Sequence, residues 1–115
     1  MAFDHVKAYS FSAASSTFNS APVSQSVNIF GYPGSTPSIS SQGSSNGVVW
    51  AIENAGPAVL HAHDPTNLGT DLWKSATNTA DQAGQAVKFT VPTVANGKVY
   101  VGTAGEISVY GLSPN

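Results

Sequence analysis

FTVPTVANGKVYVGT, residues 89–103, sets two short apolar runs on either side of an Asn-Gly pair. Asn and Gly tolerate the positive φ angles that a two-residue hairpin loop demands, so Asn96-Gly97 predicts a tight turn between antiparallel strands. GEISVYGL, 105–112, follows at once with the alternation of a third strand. The same order of runs occurs upstream: TPSIS (36–40), GVVWA (47–51) and VLHAHD (59–64) stand beside VPTVA (91–95), GKVYV (97–101) and EISVYG (106–111). In that alignment Pro37 meets Pro92, Ile39 meets Val94, Gly47 meets Gly97, Val49 meets Val99 and Trp50 meets Tyr100. Leu60 then meets Ile107, Ala62 meets Val109 and His63 meets Tyr110. The first copy carries the extra stretch SQGSSN (41–46) at its first turn, where Asn46-Gly47 predicts the hairpin. A partial earlier copy is visible in HVKAYS (5–10).

A period of about 50 residues with three or four short strands per copy fits blades of a β-propeller, not helical solenoid units. Such blades stack face to face, so both faces of each strand should be apolar or small, as in Val48-Val49-Trp50-Ala51-Ile52. Helical periodicity is absent, because Gly, Pro, Ser and Thr interrupt every window. The fold class expected is therefore all-β: antiparallel four-stranded blades, about two of them, forming part of a ring. Strands are expected near 5–11, 37–41, 47–53, 58–63, 71–75, 89–95, 98–103 and 106–112. The expected division is 1–30 as the end of one blade, 31–80 as a complete blade, and 81–115 as a last blade lacking its fourth strand.

Composition narrows the function. Charged residues make up 9% of the 115 positions, and the four basic residues are all lysine. Phosphate recognition leans on arginine forks, so no nucleic-acid partner is expected. The net charge of −2 supplies no steering field of note. Cysteine is absent, which removes disulfides, thiolate metal ligands and thiol catalysis together. No apolar run is long enough for a membrane-spanning helix. The opening MAFDHVKAYSF has its apolar run broken by Asp4, His5 and Lys7, so it does not read as a signal peptide.

PTVANGKVYVGT followed by the VYGL strand resembles the quinoprotein-like (PQQ-type) β-propeller repeat of bacterial proteins. LHAHD (60–64) and Leu72-Trp73 stand where that repeat has L-x-A-Y-D and its closing L-W, with His63 in place of Tyr. AFDHVKAYSF, GYPGSTPSIS and NGVVWAIEN also look like the closing blades of soluble exported propellers of this kind. The resemblance implies an extracellular or periplasmic location and a packing device in which Trp73 docks near Gly102. Trp50 and Tyr100 would pack at equivalent second-strand positions. Its partners would be other blades of the parent propeller or further copies of the chain.

The site residues are few. His61 and His63 lie two apart on one strand and share a face, which makes them the metal candidates. Two ligands are too few and Asp64 points to the other face, so no metal site is expected. Asp64, Asp71 and Asp81 sit among turn-forming residues, and Asp64-Pro65-Thr66-Asn67 reads as a turn capped by its own Asp. No carboxylate pair has hydrolytic spacing, and no Ser lies in a G-x-S-x-G elbow. No catalytic residue is expected, and no cofactor-binding residue can be assigned. The leading expectation is a non-catalytic structural or binding segment that makes ligand or protein contacts through rim loops. Its alternatives are a fragment of a quinone-dependent oxidoreductase and a self-assembling propeller fragment. Pyrroloquinoline quinone with calcium would enter only under the enzymatic reading.

Overall fold

The computed structural model describes residues 2–111. The chain is mostly β, its sheets are antiparallel, and no α-helix occurs among the described residues. The N-terminal part holds β1 (Lys7–Ala8), β2 (Phe11–Ser12), β3 (Thr17–Phe18) and β4 (Ser24–Gln25). These make a two-stranded ribbon that runs well beyond its short ladders. β1 pairs with β4, β2 pairs with β3, and single backbone bonds from Asn19, Val23, Ser26 and Phe30 continue the pairing to Asp4. The expected strand at 5–11 is thus two short pieces in this ribbon.

A four-stranded meander follows: β5 (Ser38–Gln42), β6 (Ser45–Glu53), β7 (Val59–Asp64) and β8 (Asn67–Lys74), in that spatial order. Two 3-10 turns at Ser75–Thr77 and Thr79–Asp81 lead away from it. The last sheet holds β9 (Thr93–Ala95), β10 (Lys98–Thr103) and β11 (Glu106–Gly111), with β10 in the centre. The strand expected from 89 begins only at Thr93. Pro92 has no N–H to give a ladder, and Phe89 is held at φ 64° in the preceding turn.

The register of the two sheets is the register of the sequence repeat. Ile39 pairs with Val49 and Val49 with His63, while Val94 pairs with Val99 and Val99 with Tyr110. Trp50 opposes Ala62 as Tyr100 opposes Val109, and Ile52 opposes Leu60 as Gly102 opposes Ile107. The turns differ. Asn96 and Gly97 sit at φ 52° and 71°, the expected two-residue hairpin. In the first copy the turn is Gly43-Ser44, not Asn46-Gly47. Asn46 keeps a positive φ of 54° beside a register shift between Ser40 and Gln42, and its side chain donates to the Gln42 amide oxygen at 3.1 Å. The six-residue insertion therefore extends the hairpin and leaves a bulge near its tip.

One face of the meander packs on the last sheet. Ile52, Ala58, Leu60, Ala83, Val99 and Val101 are buried together, with Trp50, Trp73, Val94 and Tyr110 against them. Leu60 and Val101 are fully buried, and each contributes about 1.5–3 kcal/mol by leaving water. Trp73 meets Tyr110 edge-on with ring centroids 5.5 Å apart. The Tyr110 hydroxyl donates to the Asp81 carbonyl, and the Ser38 hydroxyl donates across to the Pro92 carbonyl. Segment 84–86 stitches the far ends: the Gly84 carbonyl accepts from Ala58, the Gln85 carbonyl from Ala104, and Ala86 donates to Gly56. The other face of the meander packs on the N-terminal ribbon through buried Phe30.

Candidate functional site

The second face of the meander carries the polar chemistry. β7 is buried on both sides, with Leu60 and Ala62 toward the last sheet and His61 and His63 toward the ribbon. The exposures of His61 and His63 are 1% and 0%. Their rings stack nearly parallel, 7° apart in plane and 5.6 Å between centroids. Phe30 closes over them edge-on, at 5.4 Å from His61 and 6.3 Å from His63.

Asp71 joins them through an irregularity in β8. Ala62 pairs with Trp73, but His63 pairs with Asp71, so Leu72 is an extra residue in the ladder. In a straight register Asp71 would oppose Asp64, on the face away from the histidines. The bulge moves it by one place and turns it onto the histidine face. Its Oδ1 lies 2.7 Å from His63 Nδ1 and its Oδ2 4.0 Å from His61 Nδ1. Half-exposed Asp71 is the solvent side of this cluster. Its recruitment was hidden in the sequence because strict alternation places it on the opposite face; an irregular ladder leaves no mark in a run such as NLGTDLWK.

On its other edge, His61 Nε2 lies 2.9 Å from Glu53 Oε2, and Asn28 Nδ2 donates to the same carboxylate oxygen at 3.0 Å. Glu53 accepts from Nε2–H in this arrangement, so His61 Nδ1 is the ring nitrogen on the Asp71 side. His61 Nδ1 and both ring nitrogens of His63 have no hydrogen-bond partner. The short contact from Asp71 to His63 Nδ1 is not aligned as a hydrogen bond, so that ring nitrogen stays without a partner. Burial holds the His63 imidazole below its ordinary pKa; Asp71 opposes that shift and His61 reinforces it. His63 is therefore neutral at pH 7, the form that offers a lone pair.

The other expected site residues lie elsewhere. Asp64 caps its own turn, accepting from Thr66 N at 2.8 Å and from Thr66 Oγ1 at 2.7 Å. Trp50 donates from Nε1 to the Ser40 hydroxyl at 2.8 Å and, with Trp73, Val99 and Tyr110, lines a cleft of about 510 Å³ between the sheets. The structure does not bring Trp73 to Gly102. Val101 faces the meander, so Gly102 looks to the far side of the last sheet, where a Cβ would meet only the Thr90 methyl at 3.4 Å. Tyr100 alternates with Val99 and Val101 and shares that far side. No helix among the described residues is long and apolar enough to cross a membrane. The chain matches no protein-family model, no curated protein and no solved structure.

Proposed function

We propose that this chain is a non-catalytic structural and binding segment of a β-propeller of the quinoprotein-like, exported bacterial kind, in which ribbon, meander and last sheet are successive blades. The observation that carries the reading is the shared register: two sheets, one repeat, stacked face on face. The stacking step recurs as well. Phe30, which follows β4, lies edge-on to the third strand of the meander, as Trp73 on β8 lies edge-on to the third strand of the last sheet. A surface rich in Ser, Thr, Asn and Gly and poor in charge agrees with an extracellular or periplasmic protein.

In this reading the chain makes its contacts where blades are exposed. Among the described residues β11 pairs only with β10, so its outer edge presents free backbone groups. Ile107 and Val109, on the uncovered face of the same sheet, are 69% and 51% exposed. Strand addition and face-to-face stacking by a further blade, from another copy or from a longer parent, would cover both. Size-exclusion chromatography with light scattering over a concentration series tests this on the chain alone. Association into a closed multimer is expected. A monodisperse monomer at high micromolar concentration would overturn it.

A further inference from the structure

The two sheets share one register, yet only the meander sets imidazoles where its inner face meets the preceding unit. We propose that His61, His63 and Asp71 form a binding site for a divalent transition-metal ion of the zinc class, held by two imidazole nitrogens and one carboxylate. This goes beyond the propeller reading and does not depend on it.

Three observations converge. First, one ligand atom from each of the three residues can be chosen so that all lie within 4.8 Å of one another. Ligands that share one Zn²⁺ or similar ion at bond lengths near 2.1 Å stand about 2.9–3.4 Å apart. The two Nδ1–carboxylate separations, 2.7 and 4.0 Å, straddle that value. Half-exposed Asp71 can adjust both by turning its carboxylate, while the separation between the two imidazole nitrogens lies within 4.8 Å. Second, the contact between Asp71 and His63 lacks hydrogen-bond alignment. Neighbouring ligands of one ion lie to the side of each other's lone-pair axes, so this off-line placement is compatible with a shared ion. Third, one nitrogen of each ring, His61 Nδ1 and His63 Nδ1, is buried without a hydrogen-bond partner and lies on the Asp71 side. An unsatisfied buried polar atom costs about 1–3 kcal/mol, and such a cluster calls for a ligand.

The surroundings suit an ion. His61 gives its Nε2–H to Glu53, and Asn28 in turn holds Glu53; this carboxylate fixes the tautomer and orients the ring. Phe30 dries one side, while Asp71 opens the other to solvent. Imidazole nitrogen with carboxylate oxygen selects Zn²⁺, Co²⁺, Ni²⁺ or Cu²⁺ over Ca²⁺ and Mg²⁺, which take oxygen ligands. With three ligands from the chain, a coordination position remains for water or for a donor atom of a bound partner.

The test uses the untagged chain, stripped of metal by a chelator and titrated with Co²⁺. Visible absorption bands of nitrogen- and oxygen-bound cobalt should saturate at one ion per chain and vanish on adding Zn²⁺. Zn²⁺ affinity by titration calorimetry should fall at least about tenfold in Asp71→Asn and His63→Gln, and stay unchanged in His5→Gln. Asp71 is half-exposed, so Asp71→Asn keeps the fold even if a buried histidine variant does not; circular dichroism checks each. Absence of saturable cobalt binding, unchanged affinity in Asp71→Asn, or a loss in His5→Gln would each overturn the proposal.

Discussion

The meander and the last sheet repeat one pattern of pairs and put it to different use. In the meander, Leu60 is fully buried beneath a neighbouring sheet; its counterpart Ile107 is 69% exposed. His63 lies in a closed polar cluster; its counterpart Tyr110 lies half-buried between sheets, with its hydroxyl on a backbone carbonyl. The pairing pattern therefore belongs to the repeat, whereas burial and chemistry belong to what lies on each face. A strand position is apolar-tolerant when a neighbour covers it, and becomes a site when polar residues are trapped under that cover.

The largest test of this contrast is truncation at matched positions. Leu60→Ala should cost about 2–5 kcal/mol, through lost transfer energy and the cavity left behind. Ile107→Ala, the same position one repeat later, should stay within about 0.5 kcal/mol at concentrations too low for chains to associate. Chemical denaturation of both variants measures the pair, and equal losses would show that the far side of the last sheet is covered. The turns give the next effect. Gly97→Ala forces a Cβ into a left-handed conformation and should cost about 1–2 kcal/mol. Gly43→Ala should cost a similar amount, because Gly43 at φ 61° holds the first hairpin's turn.

A smaller effect probes the contact between the sheets. In a double-mutant cycle with Trp73→Leu and Tyr110→Leu, coupling of about 0.5–1.5 kcal/mol is expected from the edge-on pair. Additive losses would mean that the two rings do not touch in solution. Smallest of all is Gly102→Ala, expected to change thermal stability by no more than about 0.5 kcal/mol. Its backbone is not at a positive φ, and a methyl would meet only Thr90 at 3.4 Å. A loss above 2 kcal/mol would place an aromatic ring against Gly102 after all.

The sequence was informative where the pattern is local and repeated. Aligning Val49 with Val99 and Trp50 with Tyr100 fixed the strand partners, because a period-two pattern leaves one register that buries the apolar residues. The Asn46-Gly47 dipeptide misled, since an insertion moved the turn to Gly43-Ser44 and left Asn46 at positive φ inside the strand. The histidine pair was legible as two residues on one face. Its third member was not, because Leu72 bulges out of β8 and only that irregularity turns Asp71 inward. The partner of Trp73 was likewise set by which face of the last sheet turns inward. Tyr110, not Gly102, lies on that face, and face choice between sheets is a tertiary property.

Cross-strand nuclear Overhauser contacts in the isotope-labelled chain test most directly the claim that one repeat is used twice and stacked. The account predicts matching contacts for Ile39–Val49–His63 and Val94–Val99–Tyr110, together with ring contacts between Trp73 and Tyr110. A one-residue offset between the two sheets, or ring contacts from Trp73 to Gly102 in place of Tyr110, would contradict it.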